Sequence, residues 1–359
     1  MWHGRAKPIL TEPCQRRPLL WIERWAGVRW LARGRSESAP AGADLTYNEG
    51  DSMFTIGMNF HVIHMTDDLD ELDAWYDDVF SVVRWMNHQH SEILARDASL
   101  VLISDLCIEP MAPAFQLQNW DSVALGRFFK RFGKRWHSIA WYVSEADDII
   151  GLYDHLIAND VRVYSGIGVP SPDSPPRGAL FTHPGDTFTQ LEFVAPHSAG
   201  PSGPQDPRFT GAHDPGWWSN HHPLGVTKSS HVTLAVHDVA AARDRYVSLL
   251  GGNLLYEGDM ALTQTRSAFV AVGDLVIELA QPRSGSSAIA KDLDANNQGL
   301  YAVTLQVKDL TAASEYLEGK GIGFSDGDAR TLLTDPKTTH GVVFGFTTWN
   351  IPNDARPSS

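Results

Sequence analysis

One local pattern occurs four times along this chain, and it constrains the fold more than any other feature. Each copy is an apolar strand, an acidic or serine cap, and an amphipathic helix. In Phe60–Phe80, His61 opens a stretch that alternates as a half-buried strand does. Asp68 and Glu71 follow at capping-box spacing, and Leu69, Leu72, Trp75 or Tyr76 and Val79 recur at helical period. In Trp136–Ala158 the strand opens at His137, Ser144 is the expected cap, and Ile149, Leu152, Tyr153 and Leu156 form the buried stripe. The third copy runs from His231 through Val236. Asp238 is its cap, Val239, Ala242, Tyr246 and Leu249 its stripe, and Gly251-Gly252 its stop. The fourth runs from Leu300 through Val307, with Asp309 as cap and Leu310, Ala313 and Tyr316 on the helix before Gly319 and Gly321.

Short strands separated by turns follow each helix, at 99–110, 179–194, 268–280 and 342–349, so every copy reads β-α-β-β-β. Two copies make a domain of ordinary size, one spanning 53–197 and one 229–350, with a tail at 351–359. Residues 198–228 between them are rich in Pro and Gly and read as a linker, on which Trp217 and Trp218 predict some packing. Residues 1–52 differ in composition. Eight basic side chains among the first 35 residues stand against Glu12 and Glu23, and Met53 immediately precedes the first strand. The segment reads as an extension, disordered or non-native, with a basic membrane-surface or targeting helix as the alternative.

Composition excludes several classes. A net charge of −14 opposes a phosphate backbone, so nucleic acid is not an expected partner. No apolar run approaches the roughly 20 residues of a membrane span. Two cysteines, Cys14 and Cys107, make a disulfide framework improbable, and a reducing cytoplasm fits.

Four β-α-β-β-β units, with His opening the first strand and Asp-Leu-Asp-like caps after it, resemble the vicinal-oxygen-chelate superfamily. That group includes glyoxalase I, methylmalonyl-CoA epimerase, extradiol dioxygenases and bleomycin resistance proteins. The resemblance covers nearly all of 53–350 and implies an α+β fold of two tandem glyoxalase-like domains. It also implies a divalent metal held by the first and last strand of each unit. His61, His137 and His231 occupy the first-strand position, and Glu109, Glu192 and Glu278 lie on last strands among apolar neighbours. A buried carboxylate there needs a partner, which a metal would supply. The first domain thus has His61, Glu109, His137 and Glu192, a set similar to bacterial-type glyoxalase I. The second keeps His231 and Glu278 but has Ala302, beside Tyr301, and Gly345 at the other two positions, which predicts a metal-free or weak site. His64 is expected on the opposite face from His61 by strand alternation. His88 and His90 read as solvated loop, and His213, His221 and His222 as linker. Arg84, Trp85 and Trp141 are compatible with either cavity lining or ordinary core.

The function implied is that of a metal-dependent lyase or isomerase with one divalent ion (Ni, Co, Zn, Mn or Fe). It would stabilise enediolate-type charge on a small oxygenated substrate, with Glu192 or Glu109 moving a proton. Two alternatives stand beside it. One is an extradiol dioxygenase with Fe(II) on His61, His137 and Glu192. The other is a binding or resistance protein that sequesters a small molecule without chemistry. A small-molecule substrate is the expected partner, and a homodimer is left open.

Overall fold

The computed structural model describes residues 54–165, 176, 178–196 and 205–358. The expected N-terminal extension at 1–52, Met53, Cys14, His197 and linker residues 198–204 lie outside the described residues.

The first copy runs β1 (Ile56–Met65), α1 (Leu69–Phe80), β2 (Val83–Ser91), β3 (Arg96–Ile103) and β4 (Leu106–Pro113). Helix α2 (Ala124–Phe132) leads to the second copy: β5 (Arg135–Val143), α3 (Asp148–Ala158), β6 (Val163–Tyr164), β7 (Ala179–Thr182), the short α4 (Pro184–Thr187) and β8 (Gln190–Val194). Short turns α5 (Pro207–Thr210) and α6 (Gly216–His221) follow. The third copy is β9 (Val226–Ala235), α7 (Val239–Leu250), β10 (Asn253–Met260), β11 (Thr265–Val272) and β12 (Leu275–Pro282). Helix α8 (Ala288–Asn296) leads to the fourth: β13 (Gly299–Val307), α9 (Leu310–Gly319), β14 (Phe324–Gly327), β15 (Thr331–Thr334) and β16 (Val343–Thr347).

The strands form two eight-stranded mixed sheets of identical order, β2-β3-β4-β1-β5-β8-β7-β6 and β10-β11-β12-β9-β13-β16-β15-β14. In the first sheet β1 pairs parallel with β4 and β5 parallel with β8, while β1 and β5 meet antiparallel. The fold is α+β, built of two tandem glyoxalase-like modules. The central strands β4, β1, β5 and β8 are the ones that carry Glu109, His61, His137 and Glu192.

Local chemistry explains the helix starts. Asp68 accepts from Glu71 N, Asp238 from Ala240 N and Ala241 N, and Asp309 from Thr311 N and Ala312 N. The expected Ser144 cap is corrected. Helix α3 begins after Asp147, which makes no side-chain cap bond. Asp148 lies in the first turn and instead accepts from Thr55 N at 3.2 Å and Glu145 N at 3.0 Å.

One face of each sheet joins a common core with the helices of both halves. Val62, Leu72, Tyr76 and Ile139 lie in the same apolar cluster as Val232, Tyr246 and Phe344. Buried indoles bridge the halves through their N–H groups, Trp136 to the Val343 carbonyl at 3.1 Å and Trp141 to the Val272 carbonyl at 3.0 Å. Trp141 is therefore core. The other face of each sheet is covered by a helix that lies between the repeated units. Leu125, Phe128 and Phe129 of α2 cover Ile63, Met65 and Met111, while Ile289 and Leu293 of α8 cover Ala235 and Ala280.

His88 and His90 are corrected from loop to strand. Both lie on β2, His88 Nε2 at 3.0 Å from Asp73 Oδ2 and His90 Nδ1 at 2.7 Å from Asp97 Oδ1. Arg84 pairs with the same Asp73 at 2.5 Å. Trp218 of the linker is buried and donates to the Phe80 carbonyl at 2.7 Å. His213 bonds the Ser104 carbonyl, and His222 stands edge-on to Tyr316 with ring centroids 5.3 Å apart.

His64 lies opposite His61, as strand alternation requires. Its Nε2 donates to the His340 carbonyl at 3.1 Å, and its Nδ1 accepts from the Tyr76 hydroxyl at 2.8 Å. It thus ties the first sheet to the second in the neutral form. Burial pushes its pKa down to about 3. The unfolded chain protonates this histidine near pH 6.5, whereas the fold resists until about pH 3. Its contribution to stability is complete above pH 6.5 and is lost as pH falls through that window. Between pH 7 and 4.5 the wild type is expected to lose about 2–3 kcal/mol more than His64→Gln, measured by chemical denaturation at both pH values. Equal losses would refute the assignment.

Candidate metal centre

The four expected ligands of the first half project from four adjacent strands, which brings them to one region of one sheet face. His61 Nε2 lies 3.1 Å from Glu109 Oε2 and 3.4 Å from Glu192 Oε2. Neither ring nitrogen of His61 makes a hydrogen bond, although both are buried. Two donors held about 2.1 Å from one ion at tetrahedral or octahedral angles stand about 3.0–3.4 Å apart, which is the spacing of His61 from each carboxylate. Burial lowers the His61 pKa, but Glu109 and then Glu192 more than offset it, and the net shift is upward.

His137 is placed by a β-bulge. The register of β1 on β5 shifts between Val62↔Ile139 and His64↔Trp136, and His137 falls in that interval. Bulges re-aim side chains beside functional sites. Its Nδ1 meets the Ser138 hydroxyl at 2.9 Å, which leaves Nε2 as the nitrogen open to a ligand. Phe128 of α2 stands edge-on to the ring at 4.3 Å between centroids. Burial, and then the charges of Arg135 and His61, push the His137 pKa down to about 4, so the ring is neutral at pH 7, as a ligand must be. Among the described residues no three His, Cys, Asp or Glu side chains already stand as a finished ligand set. The donor chemistry nonetheless fits a divalent ion: two imidazoles and two carboxylates, one imidazole buried without a hydrogen bond.

Sequence reasoning did not find Arg96. Its guanidinium lies 3.6 Å from Glu109 Oε1 on the adjacent strand, beside the ligands. Its only sequence signal is that β3 begins with a charged residue. Phe60 and Trp85 pack together beside the site with Leu100, Leu102 and Cys107, and burial pushes the Cys107 thiol up to about 12.

The second sheet carries other residues at the equivalent positions. Strand pairing fixes the equivalences, because His61 pairs with Ala140 where His231 pairs with Thr304. Glu192 pairs with Ala140 and Gly345 with Thr304, so Gly345 stands at the position equivalent to Glu192. The position of His137 falls on Tyr301, not Ala302. Tyr301 occupies the bulge between Leu300↔Leu234 and Ala302↔Thr233. Burial, then Asp292, raises its hydroxyl pKa to about 12. A Cβ at Gly345 would clash with Thr304 Oγ1, so the threonine fills the space a glutamate stem needs.

The carboxylates differ as well. Glu278 accepts from Thr233 Oγ1 at 2.7 Å and Ser267 Oγ at 2.8 Å, with His231 Nε2 at 3.4 Å. Burial opposes its ionisation, but His231 and these hydroxyls more than compensate and lower its pKa. The positions of Thr233 and Ser267 are held in the first sheet by Ile63 and Ala98, so no hydroxyl at either place neutralises Glu109.

Comparisons with known proteins agree with this architecture. Residues 230–337 match the model of the glyoxalase/bleomycin resistance protein/dioxygenase superfamily. A mutant 4-hydroxymandelate synthase from Streptomyces coelicolor superposes with a TM-score of 0.59 at 12% identity, over 83% of this chain and 95% of that one. Methylmalonyl-CoA epimerase from Mycobacterium tuberculosis is 31% identical over 34% of this chain and 87% of its own, with a TM-score of 0.32. An uncharacterized protein of Bacillus subtilis (strain 168), YqjC, is 22% identical over 125 residues, 33% of this chain and 89% of that protein. No helix among the described residues is long and apolar enough to cross a membrane. Residues 230–337 thus match the glyoxalase/bleomycin resistance protein/dioxygenase superfamily, and the whole two-sheet architecture has that fold, as a tandem of two such units.

Proposed function

We propose that this protein is a metal-dependent enzyme of the lyase or isomerase type, with one divalent ion in the first unit held by His61, Glu109, His137 and Glu192. The carrying observation is the contrast between the two carboxylates. The two positions whose hydroxyls tie down Glu278 are held beside Glu109 by Ile63 and Ala98, which offer none. When bound, the ion (Ni, Co, Zn, Mn or Fe) would polarise adjacent oxygens of a small substrate and favour the negative charge that develops on them.

The chain's own residues supply the rest. Glu192 is the proton carrier. Its side chain is 14% exposed against 5% for Glu109, and Glu109 is also engaged by Arg96. Phe128 and the apolar face of α2 keep water from the His137 side. Arg96 supplies positive charge next to the site.

Elemental analysis of protein purified without added metal tests the reading, followed by activity screens with each of the five metals. Candidate substrates are hemithioacetals and compounds with an acidic C–H beside a carbonyl. Glu192→Gln is expected to cut turnover by about 100-fold or more. Unchanged turnover in that variant would move the proton transfer to Glu109. The donors His61, His137 and Glu192 are also a two-histidine, one-carboxylate set. Oxygen consumption with catechols by iron-loaded protein would select the dioxygenase alternative, and tight ligand binding without bound metal the sequestering one.

A further inference from the structure

A second repeat lies outside the strands. Asp206-Pro207-Arg208 follows the first sheet, and Asp354-Ala355-Arg356 follows the second. Arg208 donates from its backbone N and Nε to Asp206 Oδ1 at 3.0 Å each, and from one terminal nitrogen to Oδ2 at 2.6 Å. Arg356 repeats this on Asp354 at 3.1, 2.9 and 3.0 Å. The outward donors also correspond. Arg208 reaches the carbonyls of Phe60 at 2.9 Å and Asp105 at 3.1 Å, and Arg356 those of Ser230 at 2.6 Å and Asp274 at 3.0 Å. Phe60 and Ser230 immediately precede His61 and His231, while Asp105 and Asp274 stand four residues before Glu109 and Glu278.

Each arginine therefore joins the strand bearing the first-strand histidine to the turn that leads to the last-strand glutamate. The first pair is almost fully buried, with side-chain exposures of 7% for Arg208 and 1% for Asp206. A buried ion pair is a weak source of stability, because desolvation consumes most of the attraction. Its value lies in geometry, since a guanidinium fork with its donors engaged has one orientation. We propose that Arg208 is a positioning residue of the metal centre: its clasp on the Phe60 and Asp105 carbonyls holds β1 and β4 so that His61 and Glu109 converge. The proposal rests on the metal reading of the first unit. The Arg356 clasp is its internal control, matched in its arginine contacts but placed on a sheet without the ligand set, with Lys228 as a further partner of Asp354 at 3.0 Å. Arg356 is linked to β1 through Asp274, whose carbonyl accepts from Arg356 and whose carboxylate accepts from Asn59 N.

The test is cobalt titration of the full chain, against a competing chelator, for wild type, Arg208→Gln, Arg208→Lys and Arg356→Gln, with melting temperatures. Arg208→Gln is expected to weaken cobalt binding about 10–100-fold, the range found when groups supporting metal ligands are removed. It should also change the ligand-field absorption. Arg356→Gln should lower the melting temperature comparably but keep the wild-type spectrum and bind cobalt far more tightly than Arg208→Gln. Arg208→Lys keeps charge against Asp206 but lacks the fork. It should lose affinity too, and it carries the test if the glutamine variant does not fold. Wild-type affinity and spectrum in either Arg208 variant, or an equal loss in Arg356→Gln, would overturn the proposal while leaving the metal reading intact. A wild-type protein that takes up no cobalt would overturn both.

Discussion

His61→Ala or His137→Ala is expected to empty the protein of metal, while His231→Ala leaves the metal content unchanged. The asymmetry follows from how each buried carboxylate is satisfied. Glu278 retains Thr233 and Ser267 when His231 is removed, so it has no need of an ion. Glu109 and Glu192 meet His61 at 3.1 and 3.4 Å, and without it two carboxylates share one region with one imidazole fewer. Loss of one of four ligands costs several kcal/mol out of the ~10–16 kcal/mol typical of tight zinc sites. Elemental analysis of the three variants after gel filtration gives the answer directly. A metal-bearing His137→Ala would remove that residue from the ligand set. An empty His231→Ala with a full His61→Ala would move the centre to the second unit.

The second sheet offers the converse experiment. Tyr301→His, Thr304→Ala and Gly345→Glu together would copy His137, Ala140 and Glu192 onto equivalent positions. The triple variant is expected to bind a second ion. Adding Thr233→Ile and Ser267→Ala should tighten it, because Glu278 then loses the hydroxyls that compete with an ion. Gly345→Glu alone should instead destabilise the fold. A Cβ pressed against Thr304 Oγ1 overpacks the strand, a change that costs about 1–3 kcal/mol. Thr304→Ala should restore most of that loss. Metal analysis and thermal melts of the single, double, triple and fivefold variants separate the two effects. A fivefold variant that folds but binds no second ion would show that the equivalence of strand positions does not extend to ligand geometry.

Much of this was legible in the sequence because it is locally encoded. An aspartate before a helical stripe caps that helix wherever it occurs, and Asp68, Asp238 and Asp309 do so. Alternation alone puts His61 and His64 on opposite faces of one strand. Four units of one pattern, each unable to bury its own apolar face, imply sheets built from pairs, and histidines and glutamates at matched places mark the strands on which they sit. The apolar stripes of α2 and α8 fall between the repeated units, outside the pattern that the repeats define.

What only the tertiary structure decided depends on pairing between distant segments. Counting from strand starts assigned the histidine position of the fourth unit to Ala302. A one-residue bulge on β13 moves it to Tyr301, and no local property of the sequence announces that slip. The clearance around Gly345 belongs to Thr304 on the neighbouring strand, so a glycine that reads as a mere absence is the complement of a filled space. The Asp-x-Arg clasps are three residues long, too short to stand out as a repeat, and gain meaning only from the carbonyls they reach more than 80 residues away. The chain's periodicity determined which residues face inward. Strand register, set by contacts that no short window contains, decided which of them meet.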